Sequence, residues 1–362
     1  MEYIKLPISQ RLNIQAFSNM LDLKYIQNSY KLYWFYAVFE EIKNGKEKIL
    51  FKELILRMIA KSWYSLIEYK LHFGGIDQLN RVVIYLYNNY GFEKDILEEE
   101  LIGKLNEIKD ENLNYFIKEF SKFVPYRLLS PFYPELTGIK DQYKNNIILE
   151  LSNKGDMGIY KINKQEKSIE INEKWFNYIF ENQAIMEGWI LNKLIFFLQT
   201  RNPNVPAIPF KICAPLKRNL TGAKKYWKNV IEINKINNIY TDKILGSEDT
   251  ISIDHFVPWS FVLHDELWNL IPTTKEINSS KSDKLPSLDK FLDRYCDIQY
   301  IGLKTALNYN FGKKEIEDYF TISKYMDLNK NIPKEYFIEN LKNTIIPIYQ
   351  IAYNQGFMIW DK

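Results

Sequence analysis

Four prolines, Pro203, Pro206, Pro209 and Pro215, fall within thirteen residues of RNPNVPAIPFKICAP and limit what can form on either side. Each fixes φ and removes a backbone N–H, so neither a helix interior nor a central strand can pass through them. The chain is therefore expected to divide at a connector over 201–216. A second cluster, Pro125, Pro131 and Pro134 in VPYRLLSPFYPEL, marks a further boundary near 125.

Before that boundary the pattern is helical. Leu32, Phe35, Phe39 and Ile42 recur at helical spacing within 29–43, with Ser29 placed as N-cap, and Ile55, Ile59 and Trp63 repeat the pattern within 51–69. Residues 91–116 carry eight acids against three lysines, which predicts a solvated helix face that repels phosphates. Between 126 and 200, NIILELS, GIYKI and SIEI read as short strands of a small meander, followed by one helix from about Glu173 to Gln199. With 362 residues, 46% of them hydrophobic and 15% aromatic, the chain can fill the cores of two domains. The expected class is α+β: a helical N-terminal domain over 1–125, a small β segment plus helix over 126–200, and a mixed C-terminal domain over 217–362 closed by further helices.

The net charge of +3 is too small to imply a nucleic-acid partner, but its distribution is uneven. Residues 211–245 hold eight basic side chains, among them Lys217, Arg218, Lys224, Lys225 and Lys228, against Glu232 and Asp242. Lysines interleaved with Tyr226 and Trp227 fit a surface that tracks a phosphate backbone, and equally a solvated helix. Two cysteines, Cys213 and Cys296, exclude a disulfide framework and a cysteine-held structural zinc. Glu2, Lys5 and Arg11 interrupt the start where a secretory peptide needs an apolar core, so a cytoplasmic protein with no membrane partner is expected.

The chemistry concentrates in SIDHFVPWSF, LWNLIPT and TKEINSSKSDKLP. A strand ending at Asp254, a second β-like run after Asn269 and a short helix carrying Asn278 would bring polar groups together. One carboxylate and one amide oxygen suit a hard cation that keeps water or phosphate oxygens, with magnesium expected and manganese as the alternative. His255 is free of ligand duty and can accept a proton from water, while Asn269 ties down the intervening loop and helps to orient it. Lys281, one turn beyond Asn278, is placed on the same phosphate, with Lys275 and Lys284 beside it. His264 has no role in this set, His72 is assigned to helix-end packing, and Trp259 and Trp268 to local core.

These segments resemble the HNH endonuclease motif over about 245–295, in the variant that ends on Asn, as in the HNH domain of RNA-guided CRISPR nucleases. The resemblance implies a ββα-metal module, metal at Asp254 and Asn278, a general base at His255, a structural Asn269, and DNA as substrate. Upstream, SYKLYWF, RMIAKSWY and FLQTRNPNVP are similar to standalone bacterial proteins with a C-terminal HNH module, which implies restriction or anti-phage defence and a homodimer or defence partner. The CxxC pairs that brace many HNH modules are missing, and nothing resembles guide-RNA machinery. A non-catalytic DNA-binding or regulatory subunit is the alternative.

Overall fold

The computed structural model describes residues 4–215, 218–246, 250–323 and 325–361. Two compact units are present, Met1–Pro203 with Ile208–Pro215, and Asn204–Ala207 with Leu216–Lys362. The expected α+β class holds: a mainly helical N-terminal region, a small β segment, and a C-terminal mixed module.

In the first unit, α1 (Ile14–Asn19), α2 (Tyr30–Lys43), α3 (Phe51–Trp63), α4 (Gln78–Tyr90), α5 (Glu98–Glu107), α6 (Glu111–Arg127), α7 (Asp141–Lys154), α8 (Glu173–Glu181) and α9 (Gln183–Arg201) surround a three-stranded antiparallel sheet. That sheet runs in the order β1 (Lys48–Leu50), β3 (Ser168–Ile171), β2 (Tyr160–Asn163). Helix α2 is buried on nearly every side, including Trp34, Phe35 and Phe39. At roughly 1.5–3 kcal/mol for each large apolar side chain buried, it anchors the unit. Trp34 donates through Nε1 to Tyr160 at 3.2 Å, and the Tyr160 hydroxyl donates to the Pro125 carbonyl at 2.6 Å, so helix, sheet and α6 share one buried polar chain.

Several local expectations are corrected. NIILELS lies in α7, where its isoleucines supply one side of a helix and not a strand. Pro125 sits inside α6, close enough to its end that few backbone bonds are lost. The helix expected over 173–199 is two helices parted at Asn182. Ser29 makes no side-chain cap; instead its N–H donates to Asp77 at 2.8 Å. His72 is exposed, and its backbone, not its ring, pairs with Asn202. The acids of α5 are only partly solvated: Glu98 and Glu99 meet Arg57 at 2.9 and 2.7 Å, and Glu98 meets Lys61 at 2.9 Å.

The second unit is built on two antiparallel strands, β6 (Ile251–His255) and β7 (Leu270–Thr274), paired with Ile253 opposite Pro272 and His255 opposite Leu270. A two-stranded ladder of β4 (Ile236–Asn237) and β5 (Ile244–Leu245) lies upstream. Around them are α10 (Thr221–Ile233), α11 (Trp259–Val262), α12 (Lys275–Lys281), α13 (Leu288–Tyr309), α14 (Lys313–Ile316) and α15 (Lys334–Asn354). Helix α10 buries Ala223, Tyr226, Trp227 and Val230 and turns Lys224, Lys225 and Lys228 to solvent. Trp227 packs so tightly on α13 that a Cβ at Gly302 would stand 2.9 Å from its ring. No described helix is long and apolar enough to cross a membrane.

Candidate functional site

The pairing of β6 with β7 fixes where the polar side chains arrive. Asp254 and His255 end β6, and α12 follows β7 directly with Thr274 as its N-cap. The turn before β7 is clamped from outside the sheet. Gln299 of α13 donates to the Leu270 carbonyl at 2.7 Å, the Tyr295 hydroxyl to that of Trp268, and the Leu267 N–H to Asp318 at 2.7 Å.

Asp254 is buried and receives two donors. Lys281 of α12 donates to its Oδ1 at 3.0 Å and the Tyr240 hydroxyl to its Oδ2 at 2.6 Å. The same ammonium reaches the His255 carbonyl at 2.7 Å. Burial, reinforced by the Asp254 charge, holds the Tyr240 phenol far above its ordinary range, so it stays a donor. Lys281 is fully buried, and its expected place on a phosphate is corrected: the face of α12 that carries it is turned into the unit.

His255 is almost buried, and its Nε2 lies 2.8 Å from Asp265 Oδ1. Burial lowers the imidazole's proton affinity, and Asp265 opposes this without reversing it. A carboxylate only accepts, so in the neutral ring Nε2 must carry the hydrogen, which leaves the lone pair on Nδ1. Asn269 does not touch the ring. Wholly buried, it exchanges two 2.9 Å bonds with the backbone of Val257, locking the turn after β6.

Asn278 spends its amide nitrogen on Ser252 Oγ at 2.7 Å and the Ile253 carbonyl at 3.1 Å, so its oxygen is the atom left for a cation. Among the described residues no three His, Cys, Asp or Glu side chains gather as a metal cluster. The donor set is still suited to magnesium. An ionised carboxylate has about four lone-pair positions, of which Asp254 has committed two, and a hard cation needs few protein oxygens when water and phosphate supply the rest. A cation there would share Asp254 with the Lys281 ammonium.

Residues 236–287 match the sequence profile described as HNH endonuclease. This segment is an HNH-family domain. No curated protein and no solved structure matches the chain.

Beside the HNH strands a cleft of about 300 Å3 is lined by Asp265, Leu267, Asp318 and the start of α10. Arg218 is exposed, lays its guanidinium 5.2 Å over the Trp259 ring and disfavours a proton on His255. Trp268 is buried, whereas Trp259 is half-exposed. Tyr226 and Trp227 are core residues, which removes them from any stacking surface and leaves Lys224, Lys225 and Lys228 as a purely ionic face. Lys275 is exposed and Lys284 half-buried at the two ends of α12, while Lys217 lies outside the described residues. His264 packs on Trp268 at 5.1 Å, and burial pushes its pKa down to about 4. Asp265 and Tyr240 carry no local sequence signal. The only hint is that an acid stands ten residues after the histidine in the loop joining the strands.

Proposed function

We propose that the protein is a metal-dependent endonuclease hydrolysing phosphodiester bonds in DNA, with magnesium or manganese held by Asp254 and Asn278 in the Asn-type arrangement of the motif. The observation that carries this reading is the His255–Asp265 pair set at the end of the strand that also delivers Asp254. Asp265 holds Nε2–H, and His255 Nδ1 takes the proton from the attacking water. Lys281 and Tyr240 hold the Asp254 carboxylate in place through one hydrogen bond to each oxygen. When bound, the metal supplies positive charge at the phosphate and leaving oxygen. Arg218, Lys224, Lys225 and Lys228 bind the phosphate backbone without choosing sequence, joined by Lys275 and Lys284. The likeness of the upstream segments to standalone bacterial HNH proteins supports a cytoplasmic role in restriction or anti-phage defence.

One observation favours a second reading, a non-catalytic DNA-binding domain: both oxygens of Asp254 already have protein donors. Supercoiled plasmid incubated with magnesium, with manganese and with chelator separates the two. Nicking that needs the metal and is lost in His255→Ala is the expected result. Retained DNA binding with no cleavage in either metal would favour the binding domain.

A further inference from the structure

A cavity of about 430 Å3 lies wholly within the first unit, between α6 and the segment leading into α2. Its apolar wall is aromatic. Tyr30 and Phe120 meet edge to face at 5.2 Å, and Phe123, 55% exposed, stands beside them without a ring partner among the described residues. The cavity also has two cationic side chains, Lys31 and Arg127, and two carboxylates, Glu119 paired with Lys122 and Asp141 paired with Arg127. Arg127 is committed to Asp141 at 2.6 Å and to Asn145 at 2.6 Å. Lys31 has no carboxylate partner among the described residues, although it is half-buried next to that guanidinium. Burial, and then Arg127, lower its proton affinity, the condition of a cation that lacks an anion.

Aromatic walls and an ammonium without a carboxylate partner, in a space sized for a small ligand, suit a flat ring joined to an anion. We infer that this cavity binds a nucleotide, its base against Phe123 and Phe120 and its phosphate on Lys31. A free mononucleotide and a base splayed from a single strand share that chemistry. Because every lining residue belongs to the first unit, the inference stands independently of the nuclease reading.

Calorimetric titration of the full chain, in chelator so that cleavage is silent, tests it with four nucleoside monophosphates, the matching nucleosides and a short single strand. Saturable binding of a monophosphate is expected, or of the single strand alone if the source is a strand. Lys31→Met should weaken that binding about tenfold and leave the nucleoside unchanged. Phe123→Ala, at a site exposed enough to spare the fold, should weaken both by about tenfold through lost stacking. Melting curves of each variant guard against misfolding. No binding of either ligand, or binding equally strong in Lys31→Met, would overturn the proposal.

Discussion

Lys281 Nζ and Asp254 Oδ1 lie 3.0 Å apart with both side chains buried, so the carboxylate at the centre of the HNH motif is paired with a cation of the protein itself. Burying two charges costs more than their attraction returns unless further bonds complete them, as the Tyr240 hydroxyl and the His255 carbonyl do here. Lys281→Met strands the carboxylate and should cost about 3–5 kcal/mol in urea unfolding. Adding Asp254→Asn should restore most of that loss. A single variant as stable as the wild type would mean that the pair contributes nothing.

Asp265, accepting from His255 Nε2, sets the tautomer of the ring. Asp265→Asn keeps shape and volume but can present an N–H to Nε2 and so turn the hydrogen to Nδ1. On the nuclease reading kcat should fall by up to about 10,000-fold, the loss seen when a histidine base is held in the wrong tautomer, with KM for DNA and melting temperature unchanged. Asp265→Glu should recover part of the rate. An unchanged kcat in the Asn variant would remove Asp265 from the mechanism.

What could be read in advance follows from how far apart the interacting residues lie. Asp254, His255 and Asn278 fall within one short run, and the strand and helix patterns around them are local. The Lys281 spacing showed that it shares a side of α12 with Asn278 but not that this side faces inward. Ala223, Tyr226, Trp227 and Val230 follow a helical core stripe, so burial of the two aromatics was legible, and the lysines between them obscured it. NIILELS is too short for its period to separate strand from helix. Tyr240 and Asp265 could not be found locally, because their partners are 14 and 10 residues away and meet them only through the tertiary fold.

His264 gives the second unit a pH dependence. Its folded pKa of about 4 lies below the ordinary 6.5, so below pH 6.5 the unfolded chain takes up a proton that the folded one refuses. Stability is complete above 6.5 and declines as the pH falls toward 4, by about 3 kcal/mol at most for this gap. His264→Gln should flatten that decline. Urea unfolding of both proteins at pH 7.5, 5.5 and 4.5 measures it, and parallel curves would show that the ring titrates normally.

The exposed lysines of α10 test whether the ionic face meets DNA. Lys224, Lys225 and Lys228 share the solvent side of a helix whose other side is core, and among the described residues their one ion pair is that of Lys228 with Glu232 at 3.9 Å. A pair so long and exposed is screened and leaves the lysine available. Each phosphate contact releases counterions and adds about 0.9 to the slope of log affinity against log salt on duplex DNA. The triple variant Lys224→Ala, Lys225→Ala, Lys228→Ala should therefore flatten that slope by up to roughly 2–3 units, with no change in melting temperature. Weaker binding at an unaltered slope would indicate damage to the fold. If neither moves, α10 is a solvated face, and the duplex is to be sought along Arg218, Lys275 and Lys284.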